Sequence, residues 1–274
     1  MTYLHQVRRF DLHLHSDRSD GAFPAEQVIE RCARGGLDVV ALTDHDLPSG
    51  VPVGEIQACG RSMRVVGGAE LSGTWRDREL HLLVYFPGEI PEGFRAFCRD
   101  RAMARARRYA TAVQSLNLAG IAPPDSVAVD GERSLTRHHL ARALISAGHA
   151  QDMRDAFRRF ADSAHGHVPN VDVSFVEAIR VARAHGGVTS WAHPPLPSLA
   201  EALPEFVDAG LQALEGIRPF MTSKERRVVR ELAKRYGLAV TGGSDWHGFG
   251  DGQPGLFSVA GEQIGDFLTA LERV

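Results

Sequence analysis

Short apolar runs alternate with helix-forming segments over most of the chain. The helix-forming segments, several of them followed by glycine, cover residues 24–34, 175–185, 199–209, 222–236 and 261–274. The apolar runs have the length of buried parallel strands and cover residues 37–42, 64–69, 79–86, 188–192, 213–217 and 238–241. With the opening run before residue 16, about seven strand–helix units can be counted. The pattern predicts an α/β fold, a TIM-like barrel with somewhat fewer than eight strands.

The alternation stops between about residues 90 and 165. No convincing strand is found there, and residues 94–118, 135–148 and 151–161 are predicted to form helices. Residues 91–165 are therefore interpreted as an inserted helical cap on a barrel made of residues 1–90 and 166–274. The first of these helices carries an arginine run that is typical of a solvated helix face, although one or two of its members could face a site: Arg95, Arg99, Arg101, Arg105, Arg107 and Arg108.

Composition narrows the class of protein. The 274 residues carry a net charge of −3, which disfavours a long nucleic acid as a stable partner but allows a small anionic substrate. The three cysteines are widely spaced, which argues against a disulfide framework. We see no signal peptide and no apolar stretch approaching the ~20 residues of a membrane span, so the expected location is the cytoplasm, with no membrane partner.

Histidines and carboxylates follow the apolar runs. In a parallel barrel the carboxyl ends of the strands converge on one face, so these side chains are expected to meet there: His13, His15, His45, Glu70, His193, Asp245 and His247. Asp20 can reach the same rim from the first loop, whereas His81 lies near the start of its run and is placed less securely. Taken singly, each could be a surface or capping residue. Together, six histidines and three carboxylates would serve two or three cations, with Glu70 bridging neighbouring ions.

These stretches resemble the successive motifs of the PHP (polymerase and histidinol phosphatase) superfamily. The motifs, which span nearly the whole chain, are Asp11-Leu12-His13-Leu14-His15-Ser16, Ser19-Asp20-Gly21, Thr43-Asp44-His45-Asp46, Gly68-Ala69-Glu70-Leu71-Ser72, Ala192-His193-Pro194 and Ser244-Asp245-Trp246-His247. The resemblance implies a distorted (β/α)7 barrel with two or three divalent metal ions, namely manganese, iron or zinc.

The resemblance also implies a distribution of ligands. One ion would take His13, His15, Glu70 and Asp245. A second would share Glu70 and use His81 and His193. A third would use Asp20, His45 and His247.

One branch is especially similar, the phosphoesterases acting on 3′,5′-nucleoside bisphosphates and short RNA 5′ ends. Glu79-Leu80-His81, the helical insert, and the segment Thr136-Arg137-His138-His139-Leu140-Ala141-Arg142 match that branch. The match implies that Arg137 and His139 contact substrate phosphate, and we expect Arg142 and Ser16 beside them. The branch differs from this chain at residues 166–170 and 195–197, segments that would shape the substrate pocket.

The function expected from this resemblance is metal-dependent hydrolysis of a phosphate monoester by metal-activated hydroxide. The substrate would be the 3′-phosphate of a 3′,5′-nucleoside bisphosphate or a nucleotide at a short RNA 5′ end. His139, His193 and Asp245 are the catalytic candidates, with either histidine as the general acid. The alternatives are a histidinol-phosphate phosphatase and, from another class, a non-catalytic metal-binding regulatory domain. The oligomeric state is left open.

Overall fold

The computed structural model describes residues 8–121, 133–250 and 252–273. Within these residues the strands are β1 (Arg9–Leu14), β2 (Val39–Leu42), β3 (Gly54–Ala58), β4 (Arg61–Trp75), β5 (Arg78–Phe86), β6 (Val188–Trp191), β7 (Ala213–Ile217), β8 (Ala239–Gly242) and β9 (Val259–Ala260). The α-helices are α1 (Ala25–Arg34), α2 (Glu92–Leu118), α3 (Arg137–Ser146), α4 (Met153–Ala156), α5 (Phe175–Ala184), α6 (Leu196–Asp208), α7 (Ser223–Tyr236) and α8 (Gly265–Glu272).

The strands form one sheet that curls into a barrel. Neighbouring strands follow the order β8-β7-β6-β5-β4-β2-β1-β9, and β3 pairs with β4 outside this path. The barrel is closed by the segment after β8, where the His15 amide donates to the Trp246 carbonyl (3.0 Å) and the Asp245 amide donates to the His13 carbonyl (2.9 Å). The predicted distorted TIM-like barrel is confirmed.

β5 runs against the other barrel strands. It pairs antiparallel with both β4 and β6, whereas β1, β2, β4, β6, β7 and β8 share one direction. The start of β5 therefore lies at the same end of the barrel as the carboxyl ends of its neighbours. That end carries the polar residues described below.

This sheet departs from the sequence-based expectation in several places, and the short strand β9 lies outside every predicted apolar run. The run expected to end at Glu70 continues through Trp75, because β4 leaves its parallel partner β2 and pairs with β5 in a long hairpin. The strand β3 was missed, although its exposed and half-buried residues alternate as they do in an edge strand. Its low hydrophobicity concealed it.

The helices between residues 91 and 165 pack against one another. α2, α3 and the turn at Phe157–Ala161 share a buried apolar cluster that includes Tyr109, Leu116, Leu140 and Phe160. In the described part of this range there is no strand, as predicted. The boundaries at residues 91 and 165 stay a prediction.

The described residues contain no helix long and apolar enough to cross a membrane.

Candidate metal centre

All nine predicted ligands converge at the carboxyl end of the barrel. His13 Nε2 and His15 Nε2 lie 3.1 Å apart, and Asp245 Oδ1 lies 3.3 Å from each of them. Glu70 lies at the centre, with Oε1 3.1 Å from His193 Nε2 and Oε2 3.1 Å from His45 Nδ1. Such a concentration of imidazole nitrogens and carboxylate oxygens is typical of a cluster that binds cations.

Three groups of ligand atoms are close enough to share an ion. They are His13, His15 and Asp245; His45, Glu70 and His81; and His15, Asp20, His45 and His247. These groups differ in detail from the predicted sets of ligands. His15 also lies close to Asp20, His45 and His247, and His45 also lies close to Glu70 and His81. His193 nevertheless lies against both members of its expected group, 3.3 Å from His81 Nδ1 and 3.1 Å from Glu70.

The residues present fit divalent cations. Four buried atoms that face one another have no hydrogen-bond partner among the described residues: Asp20 Oδ1, His45 Nδ1, Glu70 Oε2 and His247 Nε2. Buried polar atoms are normally paired, so their lack of partners points to coordination. Mixed imidazole and carboxylate ligation suits manganese, iron or zinc.

The electrostatics of the cluster support the same fit. Burial alone would raise the pKa of Glu70, but His45 and His13 hold it well below its usual range. Burial would lower the pKa of His15, but Asp245 and Glu70 raise it to about 10. Glu70 likewise raises the pKa of His81 to about 9, so without metal His15 and His81 take up protons beside the buried carboxylates. Divalent cations would supply that positive charge and release the protons.

The reversed direction of β5 explains why His81 reaches the ligand cluster. A residue near the start of an antiparallel strand reaches the same rim as residues at the ends of its parallel neighbours. Glu70, by contrast, lies inside β4, where the strand changes from one pairing partner to the next. Strand direction therefore brings together two ligands whose positions along their strands differ.

Left-handed backbone geometry fixes two ligands. Asp245 has φ = 56° and His193 has φ = 30°, in a region that residues other than glycine rarely occupy. Asp46, next to His45, has φ = 50°. Such conformations cost on the order of 1–3 kcal/mol each and concentrate at functional sites.

Sequence reasoning missed the carboxylates behind the ligands. Glu215 is fully buried on β7 and accepts from His13 Nδ1 (2.9 Å) and from the His193 amide (2.7 Å). This contact leaves His13 Nε2 free to face the cluster. A glutamate inside the apolar run at residues 213–217 was the available signal, because a charged residue there must be paired.

Asp44 holds the first loop. Its carboxylate accepts from the Ser16 amide (2.8 Å), the Ser16 hydroxyl (2.7 Å) and the Ser19 hydroxyl (2.6 Å). Ser16 is completely buried and both its amide and its hydroxyl donate to Asp44, so it stabilises this loop instead of lining the cleft. The expectation that Ser16 contacts substrate is not supported by this placement.

The helical insert covers one side of the cluster. A cleft between them is lined by Asp20, His45, Glu79, His81, Arg105, Thr136, Arg137, His138 and Phe157. Arg142 lies at its edge, donating to the Asp20 carbonyl (2.8 Å) and stacking over Phe249, with Cζ 4.1 Å from the ring centre. Arg137 and Arg142 therefore lie near the site, where they were expected.

The two adjacent histidines of α3 have different surroundings. His138 Nδ1 lies 2.9 Å from Asp20 Oδ2, so this imidazole contacts the ligand cluster. The His139 ring instead accepts from the Thr136 amide (3.1 Å) and closes the helix N-terminus. Burial lowers the pKa of His139 to about 4, so it is neutral at pH 7. Its predicted contact with substrate phosphate therefore has no support from this geometry.

Three arginines of α2 point inward, more than the one or two that the sequence-based interpretation allowed on an otherwise solvated face. Arg105 is buried and pairs with Asp46, Arg108 pairs with Glu79 (2.7 Å), and Arg101 pairs with Asp172. Arg99 and Arg107 are exposed, as expected. The inward positions could not be read from the helix alone, because their carboxylate partners lie far away in sequence.

Known proteins resemble the chain over most of its length. The family model of the PHP domain matches residues 11–87. The 3′,5′-nucleoside bisphosphate phosphatase of Chromobacterium violaceum is 30% identical over 256 residues, covering 90% of both chains. The phosphoribosyl 1,2-cyclic phosphate 1,2-diphosphodiesterase of Eggerthella lenta is 32% identical, covering 87% of this chain and 94% of that protein. The 5′-3′ exoribonuclease Rnm of Salmonella typhimurium is 28% identical, covering 87% and 85%.

A solved structure has the same fold. A protein of Bifidobacterium adolescentis superposes with a TM-score of 0.75 at 24% identity, covering 95% of this chain and 96% of that one. The chain therefore belongs to the PHP family, as its motifs predicted. It is a hydrolase that acts on phosphoester bonds, and its clustered histidines and carboxylates are suited to binding divalent cations.

Proposed function

We propose that this chain hydrolyses a phosphoester of a small nucleotide, either the 3′-phosphate of a 3′,5′-nucleoside bisphosphate or the ester that joins the 5′-terminal nucleotide to a short RNA. The observation that carries the proposal is a cleft with two positive poles. The ligand cluster would form one pole once it holds cations, and Arg137 of the insert forms the other. A substrate with two phosphate groups matches this arrangement.

Arg137 is available to a ligand. Its side chain is 24% exposed, and its ion pair with Glu79 is long, at 3.6 Å. The ring of Phe157 lies 5.8 Å from Arg137 Cζ and 5.1 Å from the His138 ring. An aromatic side chain beside a free guanidinium suits a nucleobase and a phosphate.

The remaining roles follow from exposure and contacts. Bound divalent cations would neutralise phosphate oxygens and lower the pKa of a coordinated water towards about 7. Asp245 and His193 are the most exposed ligands, at 35% and 30% of their side chains, so they are the ligands best placed to meet substrate. Of the two histidines predicted as the general acid, only His193 lies in the cluster.

A substrate panel tests the proposal. Protein loaded with manganese is assayed for product release from 3′-phosphoadenosine 5′-phosphate, a 5′-phosphorylated RNA trinucleotide, histidinol phosphate and a ribose 1,2-cyclic phosphate. We expect a higher kcat/KM for one of the two nucleotides than for the other compounds. Preference for histidinol phosphate or for the cyclic phosphate would contradict it.

Arg137→Gln tests the second pole. Loss of a charge-assisted hydrogen bond costs about 1.5–3 kcal/mol, so the KM for the bisphosphate should rise by about 10- to 100-fold. Arg107→Gln removes an exposed arginine of the same insert and should leave KM unchanged. Equal KM values for wild type and Arg137→Gln would remove this residue from the substrate site.

A further inference from the structure

Glu79 lies between a metal ligand and the helical insert. Its side chain is only 8% exposed, and its two carboxylate oxygens have different partners. Oε1 lies 3.4 Å from His81 Nε2, and Oε2 accepts from Arg108 at 2.7 Å. Glu79 belongs to none of the three groups of candidate ligands. Its carboxylate therefore joins the barrel rim to α2 without being a ligand itself.

The contact with Glu79 determines which nitrogen His81 offers to a cation. A neutral imidazole carries one N–H, and a carboxylate can only accept it. With the proton on Nε2 and directed at Glu79, the lone pair of Nδ1 faces Glu70 Oε1 and His193 Nε2, each 3.3 Å away. Carboxylates behind metal-ligating histidines commonly fix the tautomer in this way.

Arg108 and Arg137 both approach Glu79, but their surroundings differ. Arg108 is 10% exposed and is held twice, because its Nε also donates to the Pro169 carbonyl (2.6 Å). Arg137 is more exposed, and among the described residues its one ion pair is the 3.6 Å contact with Glu79. Arg108 is therefore fixed in place, whereas Arg137 can turn to a ligand without leaving Glu79 unpaired.

We propose that Glu79 is a positioning residue that holds His81 with Nδ1 towards the cation site, and that Arg108 holds Glu79 in turn. By this route the docked insert determines how tightly the His81 site binds its cation. The inference extends the proposed function by separating the two arginines: Arg108 supports the metal site, and Arg137 is left for the substrate.

Metal affinity tests this proposal without any substrate. Wild type, Glu79→Gln and Arg108→Gln are loaded with manganese and dialysed against graded chelator, and the retained metal is measured. We expect the weakest-held ion to be lost at about 10- to 100-fold lower chelator strength in both variants. Glu79→Asp keeps the charge on a shorter side chain and should recover part of the affinity.

Arg101→Gln is the matched control. It breaks another ion pair between α2 and the barrel, the one with Asp172, and contacts no ligand. It should retain metal as wild type does. Wild-type retention in Glu79→Gln, or equal loss in Arg101→Gln, would overturn the proposal. Because Arg108→Gln perturbs the same contact from the insert, the test survives if a Glu79 variant fails to fold.

Kinetics separate the two arginines, and this arm rests on the proposed function. Excess manganese should restore kcat in Arg108→Gln with KM unchanged, whereas Arg137→Gln should keep its metal and raise KM. A raised KM in Arg108→Gln at saturating manganese would contradict the division of roles. If no nucleotide is turned over, the proposed substrate fails while the metal-retention result still decides the role of Glu79.

Discussion

At the residue scale, Gly243 shows how closely the ligands are packed. A Cβ built on Gly243 would lie 2.6 Å from the backbone nitrogen of His13. We predict that Gly243→Ala displaces His13, lowers manganese retention by at least about 10-fold and destabilises the fold by about 1–3 kcal/mol. Metal analysis and denaturant unfolding measure both effects.

Gly265→Ala is the control for this substitution. A Cβ on Gly265 meets nothing within 4 Å, and its φ of −55° is helical. This variant should keep its metal and gain about 0.4–1 kcal/mol, because alanine loses less entropy on folding than glycine. Full metal binding by Gly243→Ala would show that His13 has more room than the structure gives it.

His139 gives a prediction about pH. Its pKa is about 4 in the folded protein and about 6.5 in an unfolded chain, so the folded state disfavours the protonated form. The stability it contributes is present above pH 6.5 and is lost as pH falls towards 4, by at most about 1.4 kcal/mol per pH unit. In metal-free protein, the free energy of unfolding should fall less over this range in His139→Gln than in wild type. Identical pH profiles would contradict the buried, capping role.

The sequence predicted the candidate metal ligands better than the residues that hydrogen-bond to them. Seven of the nine ligand positions follow apolar runs, whereas Asp20 lies in the first loop and His81 near the start of its run, and all nine converge. Glu215 was missed because its importance depends on His13, which lies far away in the chain. The choice between His138 and His139 depends on the phase of α3 against the barrel, which adjacent residues cannot reveal.

At the element scale, the direction of β5 and the orientation of α2 could not be predicted from the sequence. An apolar run looks alike in a parallel and an antiparallel strand, so the hydrophobic pattern alone does not place His81. The antiparallel pairing of β5 brings His81 to the rim that carries the other ligands. Likewise, the arginine run of α2 looked solvated, but positions 101, 105 and 108 share one face that meets three carboxylates of the barrel. Both features depend on pairing between distant segments.

The buried ion pair of Arg105 anchors α2. Arg105 and Asp46 have side chains only 6% and 3% exposed. Arg105→Met would leave Asp46 without its partner, which typically costs about 3–5 kcal/mol. Denaturant unfolding should show this loss, whereas Arg107→Met, at an exposed position of the same helix, should change stability by less than about 0.5 kcal/mol. Equal midpoints for wild type and Arg105→Met would contradict the anchoring role.

At the scale of the whole molecule, the barrel could be predicted and the cleft could not. The alternation of apolar runs and helices is a local pattern, so it can be recognised in the sequence and predicts the fold. The cleft forms where α3 and Phe157 meet the barrel rim, so neither segment alone predicts it from the sequence. Reaction class therefore follows from the ligands, whereas the substrate site that we propose depends on the insert.

We infer that the nine-ligand cluster hydrolyses phosphoesters with divalent cations. The most direct measurement is phosphate release from 3′-phosphoadenosine 5′-phosphate by wild type and Asp245→Ala, before chelation, after chelation and after manganese is restored. We expect wild-type activity to disappear with the metal and to return with manganese, and Asp245→Ala to stay at least about 100-fold below metal-loaded wild type in every condition. Full activity in metal-stripped wild type, or in Asp245→Ala, would contradict it.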